Sequence, residues 1–429
     1  MFASSSRLDL SICVGPQKPS HIKTILSSPL PIFIEYNKYL HEDITGSATW
    51  RMHAALRHRD RVREISFGRS EVIDLVIFGK FIKATNYHFP ALESLVLYFP
   101  YGYKPALPAT FLRGPDQSDL RLRRLILYDA PLASVSGLLL SARALTDLTL
   151  NFASIAATFD SSQGSFLLAC LQGMQRLRSL DIITPYKPRD SQSQHSTPKD
   201  IFPLLNLTRF HYSGPTAFLN NFMSGLSAPS LQDVRFVLRT RYPLLYLPRV
   251  IDDVSEEFRS VSVTFNTEYF RLLSSANSGE VDRHKPSFRF NVNCSPGSIQ
   301  PIINTPSTKL AMVEELALFF PSSDIANWED VFSLRGFLRQ FHNVRVLRVD
   351  PFIREVALSL QQDDGEDLLS LLEEIELSAL PISRSTKGPD EEYQHRAAAE
   401  LAAFEPFISA REQTGRPVNV FHREMPRSG

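Results

Sequence analysis

The chain has 429 residues, 43% hydrophobic and 21% charged, an ordinary composition for a folded soluble protein with enough apolar residues for an extended core. Its 46 Lys and Arg residues balance 46 Asp and Glu residues, so no general electrostatic attraction to nucleic acid or to an anionic membrane is expected. No run approaches the roughly 18 apolar residues of a membrane span, and the cysteines Cys13, Cys170 and Cys294 stand apart without a Cys-x-x-Cys pair, which argues against a disulfide framework or zinc site and for a reducing compartment, the cytoplasm or nucleus.

From the N-terminus, Met1 to Asp9 is Ser-rich and lacks the apolar stretch of a secretory signal. Arg7 to Ile12 and Leu30 to Tyr36 alternate like strands, a helix is expected between His21 and Ser28, and Ala48 to His58 reads as helical. Residues 1–60 are read as atypical first units. A six-residue pattern then takes over, with aliphatic or aromatic residues at the first, fourth and sixth places. Its clearest copies are Val62 to Phe67, Leu92 to Leu97, Leu122 to Leu127, Leu145 to Leu150 and Leu177 to Ile182. Weaker copies are Leu207 to Tyr212, Leu231 to Phe236, Phe258 to Val263, Val313 to Leu318, Val344 to Val349 and Leu372 to Leu377, with Phe288 to Val292 between them.

The first eight anchors recur every 23 to 32 residues. In Leu122 to Leu127, alternation places Leu125 and Leu127 on one face of a short strand and Arg124, Ile126 and Tyr128 on the other. Downstream, Leu132, Val135, Leu138, Leu139 and Leu140 suit a short helix lying over the strands. Strand plus helix at this period is the sign of a leucine-rich-repeat solenoid, an α/β fold with parallel strands on the concave side and helices or irregular segments on the convex side. A right-handed crossover repeated without change of direction would wind residues 61–383 into one array.

Regular members of that class carry Asn or Cys three residues after the second strand leucine. Here Pro100, Ala130, Ala153, Pro185, Pro215 and Pro321 occupy the place, so strands should end by breaking the ladder and the repeats should be irregular. Thr184 to Asp200, with three prolines and a Ser/Gln tract, reads as a projecting loop insertion. After a second interruption at Arg384 to Glu392, residues 384–429 read as a C-terminal cap, with one or two helices interrupted at Pro406 and a last strand at Pro417 to Phe421.

Catalytic motifs are absent, and an enzyme is not expected. There is no phosphate-binding Gly-x-x-x-x-Gly-Lys-Ser/Thr loop, no dinucleotide fingerprint, no His-Glu-x-x-His and no Gly-x-Ser-x-Gly elbow. No metal or cofactor is implied. Asp363 to Asp367 lacks the spacing of a calcium loop and reads as a solvated acidic turn. Arg51, His53, Arg57, His58, Arg59, Arg61 and Arg63 form the densest basic cluster, read as the outer face and end of a surface helix rather than a phosphate site.

The strand face turned away from the core is the candidate site. Its residues at the third, fifth and seventh places include Tyr98, Arg124, Tyr128, Asp147, Asp181, Arg209, His211 and Arg235. Tyr and Arg dominate interface energetics, and mixed charge beside two tyrosines suits a protein or peptide partner bound by a monomer.

The succession Pro90 to Leu95, Leu107 to Gly114, Leu122 to Leu127, Leu138 to Ala142 and Leu145 to Leu150 resembles the repeat block of fungal F-box and leucine-rich-repeat proteins. Ala55 to Val62 upstream, and Phe407 to Glu412 with Gly415 to Val418 downstream, are also similar to that group. The resemblance implies the substrate-binding part of a ubiquitin ligase receptor; the alternative is a leucine-rich-repeat interaction protein with no link to ubiquitin. The family's F-box opens with Leu-Pro and an acidic residue two positions on, and docks a ligase adaptor. It is not found here, since Leu30-Pro31 leads into Ile32-Phe33-Ile34 and Leu107-Pro108 lies within the repeats. Either an F-box lies upstream of Met1, or the chain retains only the recognition half.

Overall fold

In a computed structural model, residues 11–13, 30–36, 47–67, 75–100, 106–114, 120–152, 163–185, 201–238, 247–265, 269–276, 288–293, 307–319, 334–350, 353–361, 368–378 and 389–423 are described. The repeated six-residue word has a backbone cause there. In Leu122 to Leu127 the first leucine is buried, Arg123 and Arg124 both face solvent, and Leu125 and Leu127 return to the core. Two consecutive outward residues are possible because the Arg123 and Arg124 N–H groups share one acceptor, the Glu93 carbonyl of the preceding repeat, at 2.8 and 3.0 Å. As in a bulge, two residues oppose one, and strict alternation resumes afterwards.

The fork recurs. The Arg123 carbonyl receives Thr146 and Asp147, the Thr146 carbonyl receives Arg178 and Ser179, and the Arg178 carbonyl receives Thr208 and Arg209. Further along, Arg259 receives Glu314 and Glu315, Glu314 receives Arg345 and Val346, and Arg345 receives Glu373 and Glu374. Identical hydrogen bonding at these seven steps makes the chain a structural repeat as well as a sequence repeat.

The chain divides into two compact units, Met1–Pro229 and Ser230–Gly429. The strands of the first are β1 (Ser11–Cys13), β2 (Ile32–Tyr36), β3 (Val62–Phe67), β4 (Ser94–Tyr98), β5 (Arg124–Tyr128), β6 (Asp147–Asn151), β7 (Ser179–Ile183), β8 (Phe202–Pro203), β9 (Arg209–Gly214) and β10 (Leu226–Ser227). In spatial order β1-β2-β3-β4-β5-β6-β7-β9 they form a parallel sheet, while β8 and β10 make a separate parallel pair. Its helices are α1 (Ser47–Leu56), α2 (Leu75–Ala84), α3 (Leu132–Ser141), α4 (Gln163–Leu171) and α5 (Thr216–Ser224).

Register stacks Leu95, Leu125, Leu148 and Leu180 in one column and Leu97, Leu127, Leu150 and Ile182 in the next, all buried. Each such side chain contributes roughly 1.5–3 kcal/mol by leaving water. The helices lie against this face: Phe67 of β3 stacks on Phe81 of α2 at 4.2 Å, and Tyr212 of β9 stacks on Phe218 of α5 at 5.7 Å. In α3, Leu132, Val135, Leu138 and Leu139 face inward as expected, but Leu140 is 54% exposed. One residue past Leu139 is a turn of about 100° on a helix, which carries Leu140 off the apolar stripe.

Thr184 and Pro185, expected at the start of a loop, are buried. The Thr184 N–H extends the β7 ladder to the Ser213 carbonyl at 2.8 Å, and its hydroxyl meets the Tyr212 hydroxyl at 3.1 Å. The same one-residue extension precedes Pro100 and Ala130, where Phe99 donates to Tyr128 and Asp129 to Asn151. The rest of that loop, Ala153, Pro321, the acidic turn at Asp363 and the helix expected at His21 to Ser28 lie outside the described residues.

The second unit contains β11 (Asp233–Leu238), β12 (Ser260–Phe265), β13 (Tyr269–Ser275), β14 (Phe288–Asn293), β15 (Glu315–Phe319), β16 (Val346–Asp350), β17 (Glu374–Ser378) and β18 (Asn419–Arg423). Among its helices are α6 (Leu247–Asp253), α7 (Thr308–Ala311), α8 (Leu334–Leu338), α9 (Ile353–Gln361) and α10 (Pro389–Gln413). The spatial order β11-β14-β13-β12-β15-β16-β17-β18 overturns the expected winding without change of direction, because β13 is antiparallel to both β12 and β14. Only residues 266–268 join β12 to β13. A parallel crossover needs a dozen residues or more, so the chain must turn back, and β14 rather than β12 pairs with β11.

Beyond β12 the sheet is parallel to its end, with β18 on β17. The expected interruption at Pro406 does not occur. Helix α10 continues through it, with Pro406 exposed, Phe404 and Phe407 buried, and the neighbouring Ala403 carbonyl accepting from Gln361 Nε2 at 2.6 Å. A proline on the solvent side deprives the helix of a bond that water or a side chain can replace.

Candidate recognition surface

Helices cover the leucine face of the first unit's sheet. The opposite face carries the third, fifth and seventh places of each repeat, brought side by side by register. One row runs Ser94, Arg124, Asp147, Ser179, Arg209, and the next Val96, Ile126, Thr149, Asp181, His211. A third row begins Tyr98, Tyr128, Asn151. Seven of the eight residues singled out by sequence, namely Tyr98, Arg124, Tyr128, Asp147, Asp181, Arg209 and His211, therefore share one face. Arg235 belongs to the second unit, on β11, where Nε and Nη2 each hold a carboxylate oxygen of Asp233 at 3.2 Å.

Contacts among the seven arrange them further. The Tyr98 and Tyr128 rings lie parallel, 3.9 Å between centroids and 8° apart in plane. That leaves a flat aromatic pair with polar tips, rigid before any partner arrives. Arg209 reaches across β7 to Asp147 at 3.8 Å, and His211 Nδ1 stands 3.0 Å from Asp181 Oδ1. The Thr146 hydroxyl donates to Asp147 Oδ2 at 2.8 Å and also lies 3.0 Å from the Arg123 carbonyl. Arg124 is exposed, and it makes no ion pair with a described residue. The surface offers an aromatic platform, a free guanidinium and two carboxylates held by basic neighbours.

The second unit holds a cluster that sequence reasoning missed. Arg348 on β16 stands between Glu315 on β15 and Glu376 on β17, with Nη1 to Glu315 Oε2 at 3.0 Å and Nε to Glu376 Oε2 at 2.7 Å. The three side chains are only 21%, 14% and 11% exposed. Burial works against the Arg348 charge, but the Glu376 hydrogen bond and the two carboxylates outweigh it and hold its pKa above the ordinary value. The signal was available: the place rule that found Arg124 puts Arg348 and Glu376 at fifth places and Glu315 at a third. On the same face, Arg271 Nε donates to Asn291 at 2.8 Å and lies 5.3 Å from the Tyr269 ring.

The basic cluster around Arg57 is dispersed into structural contacts. Arg61 donates to the Leu30 carbonyl from Nε and Nη2 at 3.0 and 2.8 Å, Arg63 pairs with Glu93 at 2.7 Å, and Arg59 lies 4.5 Å from the Tyr87 ring. The side chain of Arg51 lies outside the described residues. Among the described residues no group of three His, Cys, Asp or Glu side chains could hold a metal ion, and no helix is long and apolar enough to cross a membrane. Cys170 is buried in α4, and burial pushes its thiol up to about 11.

The neutral total also divides. Residues 1–229 carry 24 Lys and Arg against 17 Asp and Glu, a net of +7; residues 230–429 carry 22 against 29, a net of −7.

No family model matches the chain, and no curated protein does. Among solved structures, the chain is similar to the leucine-rich repeat-containing protein LegL7 from Legionella pneumophila, at 12% identity over 80% of this chain and 86% of that one, with a TM-score of 0.28.

Proposed function

We propose that this chain is a leucine-rich-repeat recognition protein without catalytic activity, which binds another protein through the strand face of its first unit opposite the described helices. The observation that carries the reading is the Tyr98–Tyr128 stack on the same strand face as Arg124 and the Asp147–Arg209 pair. Rigid tyrosines give large contact area at small entropic cost, and the Arg124 guanidinium, which has no ion pair with a described residue, offers a planar fork for a carboxylate. The test is affinity capture followed by titration of the purified partner. Tyr128→Ala should weaken binding about thirtyfold, the equivalent of about 2 kcal/mol, while Arg57→Ala on the helix side leaves it unchanged. Binding that survives Tyr128→Ala combined with Arg124→Ala but falls with Arg57→Ala moves the site to the helix face.

The resemblance to fungal F-box and leucine-rich-repeat proteins supports the finer reading, in which the bound protein is a ubiquitin ligase substrate. The ligase adaptor should then be captured by a chain extended upstream of Met1 and not by residues 1–429. Its absence from both captures supports the second reading, a scaffold with no link to ubiquitin.

A further inference from the structure

The strand-entry forks leave two outward side chains at each step, and from β5 to β9 four of the eight are arginine. From β5 to β9 the forked pairs are Arg123-Arg124, Thr146-Asp147, Arg178-Ser179 and Thr208-Arg209. Arg121 and Arg176 immediately precede two of the entry leucines. All six arginines are exposed. Five of them make no ion pair with a described residue, and Arg209 has only the 3.8 Å contact with Asp147. The edge carbonyls that could offset this charge are already engaged: that of Arg178, for example, accepts Thr208 N–H, Arg209 N–H and the Thr208 hydroxyl.

With strands about 4.8 Å apart, the six cations span roughly 15 Å, and Asp147 is the single carboxylate in those forks. Charge at this edge is a matter of side-chain choice, not of backbone. In the second unit the same forks carry Glu314-Glu315, Arg345-Val346 and Glu373-Glu374.

We infer that the β5–β9 entry edge of the first unit binds an acidic polypeptide segment, and that this edge continues the tyrosine-bearing recognition face. The inference rests on the recognition reading and names the chemistry of the partner. A nucleic acid fits less well: Tyr98 and Tyr128 already give one face each to one another, and Asp147 and Asp181 lie where a continuous run of phosphates would pass. A peptide can set carboxylates against the arginines and donors against the aspartates. Crossing the edge in extended form takes about five residues at 3.3 Å each.

The test uses the full chain and fluorescence anisotropy with three labelled probes: a peptide of alternating Glu and Ser, its Gln-for-Glu counterpart, and a single-stranded oligonucleotide of equal charge. The Glu peptide should bind, weaken as salt rises, and lose at least about tenfold in affinity with Arg123→Glu combined with Arg178→Glu, while Arg57→Glu changes nothing. Circular dichroism checks that the double variant is folded; if it is not, Arg124→Gln with Arg178→Gln takes its place, with a loss of severalfold expected. Equal binding of the Gln peptide, tighter binding of the oligonucleotide, or indifference to the arginine changes overturns the inference. So does a molecular mass that rises with protein concentration in light scattering and is lost on the same reversal, because the edge would then hold the acidic half of a second copy. A captured partner that depends on Tyr98 and Tyr128 but not on these arginines refutes the acidic-segment inference and leaves the recognition reading standing; indifference to both sets removes both.

Discussion

Replacing Arg348 by Met keeps the length of the side chain and removes its charge, leaving Glu315 and Glu376, on the two strands that flank β16, without the guanidinium that stands between them. Both carboxylates lie within 3.0 Å of the guanidinium and are more than four-fifths buried. Breaking a buried ion pair from one side typically costs 3–5 kcal/mol, because the remaining charge is desolvated and unpaired. Partial exposure of Arg348 to water favours the lower end, so Arg348→Met should cost about 3 kcal/mol. Most of that is repulsion and desolvation of the carboxylates rather than loss of attraction. Accordingly, adding Glu315→Gln and Glu376→Gln to Arg348→Met should recover more than half of the loss, although it removes two more charges. Urea unfolding followed by circular dichroism reads both quantities without screening the charges, as guanidinium chloride would. A single variant within about 1 kcal/mol of the parent, or a triple variant less stable than the single one, would refute the argument that the cluster is a desolvated charge network.

Three other outcomes follow from the packing. Leu148→Ala opens a hole between Leu125 and Leu180 in the stacked column and should cost about 2–5 kcal/mol in the same assay; parity with the parent would put the repeat register in error. Gly214→Ala should cost about 2 kcal/mol, because a Cβ at that position would overlap the Thr184 hydroxyl and stand 2.6 Å from the Tyr212 hydroxyl, breaking the buried contact that ends β7; a neutral effect on the melting temperature would show that the contact is dispensable. The Cys170 thiol ionises near 11 when folded and near 9.0 when exposed, so between those values the unfolded chain gives up its proton first and stability falls as pH rises. The loss should reach about 2 kcal/mol by pH 11 and be absent from Cys170→Ala, compared with the parent by urea unfolding at about pH 8 and pH 10.5; equal slopes in the two proteins would count against a buried thiol.

Much of the architecture could be read from the sequence because its cause is local. An apolar first place, two outward residues on one carbonyl and then strict alternation write themselves into the chain as Leu-x-x-Leu-x-Leu, and each copy reports which side chains share a face. It does not report which strands are neighbours or in which direction they run. Phe258 to Val263 alternates like every other copy, yet β12 is followed by a hairpin strand, and only the short connection at 266–268 betrays it. Likewise, alternation put Tyr98 and Tyr128 on one face, but their stacking depends on parallel register between β4 and β5.

Charge was hidden for a different reason: a total of zero is a sum, and +7 and −7 in two compact units cancel within it. A field extends only about a Debye length, 8–10 Å in physiological salt, so a partner responds to the charges of the edge it touches and not to the total of the chain. Each fork contributes its own pair of outward side chains, which lets the same hydrogen-bonding pattern carry arginines in the first unit and glutamates in the second. The outward places of each word, the third, fifth and seventh together with the forked second, are where copies differ in charge, while the buried leucines between them stay alike.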